Sequence, residues 1–142
     1  MLAYTNHAAQ QIIKALLLKE QVSFPATWYV GFFTADPGAA GELTDEIADP
    51  AYTRLEVNWS APKYSEELGT HSDNVYEIEF DEAGVSWGEI THVGMLDAET
   101  AGTMWLKGPL VESKVIGKGD FARFPAGRLV FLLQRLPAQG VE

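Results

Sequence analysis

No cysteine occurs among the 142 residues of the chain. That absence removes disulfide staples, thiol nucleophiles and thiolate metal ligands together. It fits cytosolic synthesis, and equally a robust protein outside the cell that does without covalent cross-links. Long apolar runs are missing too. None approaches the roughly 20 residues that a helix needs to cross a bilayer. The run nearest the start, Ile12 to Leu18, is interrupted by Lys14. Thr5-Asn6-His7 ahead of it carries no basic region, and no small-residue cleavage site precedes Pro25, so a signal peptide is not expected. Basic residues are scarce: ten Lys and Arg stand against twenty Asp and Glu, a formal charge of −10. They are also scattered, with no two adjacent. Such a surface repels a phosphate backbone, and direct nucleic-acid binding is not expected.

Groupings built for chemistry are equally hard to find. The three histidines, His7, His71 and His92, fall in separate segments and none has a second histidine at ligand spacing. His92 sits in an alternating stretch and reads as a partly buried histidine with a hydrogen bond. The densest acidic cluster, Glu42, Asp45, Glu46 and Asp49, lacks the glycine and the terminal glutamate of an EF-hand loop. Gly117-Lys118-Gly119 is a turn and not a phosphate cradle, and no nucleophile elbow is present. No catalytic, cofactor-binding or metal-binding residue is nominated, and no cofactor is expected.

What the chain does have is one helical stretch followed by many short apolar runs. From about His7 to Glu20, Ala9, Ile12, Ile13, Leu16 and Leu17 recur at the spacings of an amphipathic stripe. Thr5 or Asn6 can supply the N-cap oxygen. About four turns would be marginal alone, so the stripe is expected to dock on the rest of the chain, with Ile12, Ile13 and Leu16 buried; the alternative is a helix whose face also contacts a neighbouring subunit. Trp28 to Thr34 is a near-continuous apolar run, expected to be buried on both sides, one against a facing sheet and the other under the helix. Tyr52 to Trp59 and Val75 to Phe80 alternate as half-buried strands do, with Tyr76, Ile78 and Phe80 pointing inward. Ile90 to Leu96, Thr103 to Leu106, Val111 to Ile116, Phe121 to Phe124 and Leu129 to Leu133 complete seven or eight short strands, and Ser60 to Asp73 reads as a polar connection. No second helical segment can serve as a βαβ crossover, which excludes a doubly wound sheet. The expected fold is mainly β: an antiparallel β-sandwich, jelly-roll or immunoglobulin-like, with one N-terminal α-helix. Residues 1–24 form the helical segment packed on the body, 25–136 the sandwich, and 137–142 a flexible tail.

Two features invite a contact role. Ala35 to Pro50 is the longest loop, about sixteen residues, past the length of a mere connection. It carries Asp36, Glu42, Asp45, Glu46 and Asp49, which could meet basic groups on a partner, and it is expected to be mobile until assembly. The four tryptophans, Trp28, Trp59, Trp87 and Trp105, read mainly as core or interface residues. Trp87, beside Gly88 in a turn-rich stretch, is the one candidate for an exposed aromatic platform.

Residues Trp28-Tyr29-Val30-Gly31-Phe32-Phe33-Thr34-Ala35-Asp36-Pro37, with Gly38 and Gly41, resemble the opening strand and loop of a family of small bacteriophage virion proteins often labelled tail fibre proteins. The likeness continues through Thr44-Asp45-Glu46-Ile47, Tyr52-Thr53-Arg54 and Trp87-Gly88-Glu89-Ile90-Thr91-His92-Val93-Gly94. It closes on Gly102, Trp105, Gly119-Asp120 and Phe124-Pro125-Ala126-Gly127. The resemblance implies a structural subunit of the virion, made in the bacterial host cytoplasm, in the tail, baseplate, head-tail or decoration machinery. Its implied partners are other virion proteins and copies of itself in a symmetric particle, with no catalysis, nucleic acid or membrane. A carbohydrate- or receptor-binding β-sandwich module is the alternative, and it depends on Trp87.

Overall fold

The computed structural model of the chain describes residues 2–133. The expected tail, 137–142, and the end of the expected body therefore lie outside the described residues. In chain order the elements are β1 (Ala3–Tyr4), α1 (Asn6–Leu16), β2 (Trp28–Phe33), β3 (Leu55–Val57), β4 (Lys63–Ser65) and β5 (Gly69–Asp73). They continue with β6 (Ile78–Glu79), β7 (Gly88–Leu96), β8 (Met104–Ile116), β9 (Arg123–Phe124) and β10 (Val130–Leu132). The chain is thus mainly β with one N-terminal helix. Its strands form three antiparallel sheets: five strands in the order β1-β8-β7-β2-β3, three in the order β10-β5-β4, and the pair β6-β9.

The core sits against one face of the five-stranded sheet. Val30 and Phe32 of β2, Val57 of β3 and Ile90, Val93 and Met95 of β7 supply that face. Ile78, Phe80, Trp87, Ala122 and Leu129 close over it. The Phe32 ring lies 4.5 Å from that of Phe80 and stacks at 5.5 Å on that of Phe124, so β6 and β9 are held to the large sheet largely by aromatic contact. The other face of β2 is also buried, as the continuous apolar run predicts. Its cover is different from the expected one: Phe33 packs with Leu96, Met104 and the loop residue Leu43, not beneath α1.

Three further differences have identifiable causes. Ser60 to Asp73 holds the β4–β5 hairpin, registered Lys63↔His71 to Ser65↔Gly69. It gives no hydrophobic signal because most of its side chains stay near solvent. In the Val75 to Phe80 stretch Ile78 and Phe80 are buried as expected, but Tyr76 is 66% exposed because only Ile78–Glu79 pairs. The expected strands Thr103 to Leu106 and Val111 to Ile116 are one strand, β8, broken by a large bulge: His92 faces Pro109 while Ile90 faces Lys114. One residue of β7, Thr91, therefore stands opposite four of β8, and Pro109 is tolerated because a bulge needs no regular ladder donor there.

The N-terminal segment supplies a strand as well as the helix: Ala3 and Tyr4 pair with Lys107 and Leu106. Thr5 caps α1. Its Oγ1 accepts from the Ala8 amide at 3.3 Å and donates to the Met104 carbonyl at 2.8 Å. The helix ends at Leu16, short of Glu20, where Lys19 turns to a left-handed φ of 56°. The expected stripe docks only in part, with Ile12 half-buried and Ile13 and Leu16 exposed. The seated face runs through Ala8, Gln11, Ile12 and Ala15, buried or half-buried, whereas Ile13 is 51% and Leu16 71% exposed. Thr5 and Ala8 pin the first turn over β8, and the small alanines let the backbone approach closely, which rotates the larger side chains outward.

Candidate functional site

The Ala35 to Pro50 loop is built into the edge of the large sheet. The β2–β3 ladder ends at Val30↔Leu55. Beyond it the Ile47 amide donates to the Phe32 carbonyl at 3.2 Å, and the Tyr52 hydroxyl accepts from the Phe32 amide at 3.0 Å. Thr34 N–H donates to the Asp45 carbonyl at 3.0 Å. Ile47 is buried, so the loop does carry a core residue and is tied down in the isolated chain.

Two of its five nominated carboxylates face inward. Glu46 receives the Arg54 guanidinium on both oxygens at 2.7 Å and the Tyr52 hydroxyl at 2.8 Å. Arg54 spends its remaining amino group on the Ala98 and Ala101 carbonyls, at 2.8 and 2.7 Å, which fastens the β7–β8 turn to the same loop. Gly31 makes room for this cluster, since a Cβ there would stand 2.8 Å from both Glu46 Oε2 and Tyr52 Oη. Burial, and then the Glu46 charge, push the Tyr52 hydroxyl well above its ordinary pKa. Asp49 is also buried. Its Oδ1 accepts from Ala51 N–H at 3.0 Å, and its Oδ2 accepts from Gly84 N–H and the Trp87 indole N–H, each at 2.8 Å. The Ala51 amide and then the Trp87 indole hold its carboxyl below the usual carboxylate value. Both carboxylates are thus held by hydrogen bonds within the chain.

Trp87 is corrected with them. It is 5% exposed, clamped by Asp49 and set edge-on to Tyr52 and Phe80, so it offers no platform. A turn-rich neighbourhood hides the fact that its partner lies 38 residues away. Asp36, Glu42 and Asp45 stay exposed. Of these, Asp36 is bound at 2.6 Å by Lys107, whose hydrogen bond holds its carboxyl below the ordinary value. His71 Nδ1 lies 3.0 Å from the Gly69 carbonyl, His92 Nδ1 lies 2.8 Å from Thr91 Oγ1, and the His7 ring packs edge-on to Trp105. Among the described residues no group of three or more His, Asp or Glu is placed to hold a metal ion.

The largest anomaly lies on the helix. Ile13, Leu16, Leu17 and Leu18 are 51 to 71% exposed, and Phe24 beyond them is 51% exposed while its ring leans on Trp105. A clustered apolar surface of this kind marks an interaction site more often than chance. The family model described as podophage GP4 fiber I protein gp80 matches residues 3–131. The chain belongs to this family. It is accordingly a non-catalytic structural protein of the phage virion, of the fibre class. No curated protein matches the chain.

Several residues of the matched region have roles that no local sequence pattern announces. Tyr52 and Arg54 fall on the same side of the Tyr52 to Trp59 alternation, beside an acidic loop, and that is the one signal the sequence holds for their pairing with Glu46. Asn74 was also missed. It is 1% exposed, donates to the Tyr76 and Pro125 carbonyls at 2.8 and 3.1 Å and accepts from the Leu129 amide at 2.9 Å. It therefore staples the entries to β6 and β10 together.

Proposed function

We propose that this fibre-family chain is an assembly subunit of the tail apparatus whose N-terminal helix seats on a neighbouring virion protein. The apolar side chains Ile13, Leu16 and Leu17, left uncovered at the C-terminal end of α1 and its cap, are the observation that supports this reading. Burying them would stabilise an interface by roughly 1.5–3 kcal/mol per side chain before association costs. Asp36, Glu42 and Asp45 form a charged element on the loop that fixes register against basic groups of a neighbour more than it adds affinity. The neighbours are other virion proteins and further copies of the chain in a symmetric array, joined after synthesis in the host cytoplasm. In this arrangement the large sheet and the smaller ladders act as the two layers of a β-sandwich in the body, with residues 1–24 as the outward-facing assembly segment. The carbohydrate-platform reading loses its support with Trp87 buried.

The test is complementation of a phage lacking this protein with Leu16→Glu and Leu17→Glu variants. Unchanged thermal unfolding of the purified variants, with loss of the protein from assembled particles, is expected. Normal incorporation of both variants would overturn the helix-face reading.

A further inference from the structure

A second surface, lined by the C-terminal half of β8, forms a half-open cavity of about 460 Å³. That volume lies within the roughly 300–1,000 Å³ range of ligand-holding clefts. Its floor is Phe32, Ile90 and Val93 of the large sheet, and Phe124 and Leu129 wall it from the other side. The third wall is the β8 bulge, where the excursion opposite Thr91 lifts Leu110 and Val111 away from β7. The mouth is apolar too. Val111 is 99% and Phe121 57% exposed there.

Charge around the mouth runs against that of the whole chain. Lys114, Arg123 and Arg128 line it beside a single carboxylate, Glu112, on a protein of net charge −10. Elsewhere Arg54, Lys63 and Lys107 are each held by a carboxylate at 2.6 to 2.9 Å. At the cavity the pairs are long and exposed: Lys114 to Glu112 at 3.6 Å and Arg123 to Glu77 at 3.9 Å. Arg128 has no ion pair among the described residues. Three cations without a close carboxylate thus stand around an apolar hole, and they favour an occupant that is apolar where it enters and anionic where it leaves.

We infer that this cavity receives a short extended segment of another virion protein, in which apolar side chains are flanked by Asp or Glu. The apolar residues fill the space above Ile90 and Val93 as anchors, while the flanking carboxylates meet Arg123, Arg128 and Lys114. The site is separate from the helix face and stands independently of it. A small amphipathic anion, a second copy of this chain and the chain's own C-terminal residues are the competing occupants.

The probe is a blocked peptide with a Leu-Val-Leu centre flanked by two glutamates on each side, titrated into the full chain with methyl NMR detection. Shifts confined to the methyls of Ile90, Val93 and Leu129, with binding weakened at least tenfold by R123E/R128E and by raising salt from about 0.05 to 0.5 M, are expected. A peptide carrying lysine in place of glutamate should bind at least tenfold more weakly. Equal binding of the two peptides, or no methyl shifts at millimolar peptide, would overturn the proposal. So would laurate filling the cavity while the peptide fails, concentration-dependent dimerisation abolished by R128E, or contacts from Leu136 or Val141 to the cavity methyls in the free chain. Because R123E/R128E leaves α1 untouched, its failure to bind is distinguishable from failure of the helix face.

Discussion

Replacing Arg54 with methionine tests whether the loop is held by the cluster beneath it. The substitution keeps the apolar stem and removes every donor. Glu46, whose side chain is 15% exposed, then retains only the Tyr52 hydroxyl, and the Ala98 and Ala101 carbonyls lose their partner. Breaking a buried ion pair from one side costs about 3–5 kcal/mol, because the other charge stays behind. Two features pull the value toward the lower end: Glu46 keeps some solvent contact, and the carbonyls lie in an outer turn that water can reach. A loss of about 3 kcal/mol is therefore expected. With a urea slope near 2 kcal/mol/M, the unfolding midpoint should fall by about 1.5 M. The R54M/E46Q double variant should recover part of this, giving a coupling of about 2 kcal/mol in the double-mutant cycle. A midpoint shift below about 0.5 M for R54M would refute the reasoning, since the pair would then be no stronger than a surface salt bridge at about 1 kcal/mol.

Other substitutions probe the same architecture. Gly31→Ala pushes a methyl to within 2.8 Å of Glu46 and Tyr52 and should cost about 1–3 kcal/mol in denaturant unfolding; a neutral result would mean that the cluster yields freely. Lys19→Gly relieves the left-handed φ of 56° that ends the helix and should stabilise the chain by about 1 kcal/mol, whereas destabilisation would contradict that account of the helix stop. Asp36, Asp49 and Asp73 all have carboxyls held below their ordinary value in the folded chain. The unfolded chain then binds more protons in acid, so stability is full above about pH 5 and is lost as pH falls through the unfolded value near 4 and on toward the folded ones. Unfolding measured from pH 3 to 7 should show that slope, and D49N should flatten it; stability rising with acid would contradict the assignment.

How much of this was legible in the sequence depends on whether the controlling contact is local. The Trp28 to Phe33 run announces two-sided burial because every position is apolar or glycine, and a cap at Thr5 or Asn6 follows from their place before the helical period. The alternation of Ile78 and Phe80 likewise needs only neighbours two residues apart. Asp49 and Trp87 meet across 38 residues, and Arg54 reaches the Ala98 turn across 44; no window of sequence contains both ends. The exposure of Ile13 and Leu16 departs from the expectation for a different reason. Two adjacent stripes, one of small residues through Ala8 and Ala15 and one of large ones through Ile13 and Leu16, both satisfy the helical period. Hydrophobicity favours the larger stripe as core, but close approach to β8 favours the smaller. The leucines left on the outer side are those that the proposed interface would bury. The cavity had no local signature, since the bulge that opens it is a mismatch between two strands and not a property of either.

The most direct measurement is a cryo-electron microscopy reconstruction of the intact virion at side-chain detail. The account predicts that Ile13, Leu16 and Leu17 lie within about 4.5 Å of apolar atoms of a neighbouring subunit in the tail apparatus. A reconstruction in which α1 projects into solvent in the assembled particle, with the apolar face uncovered, would contradict it.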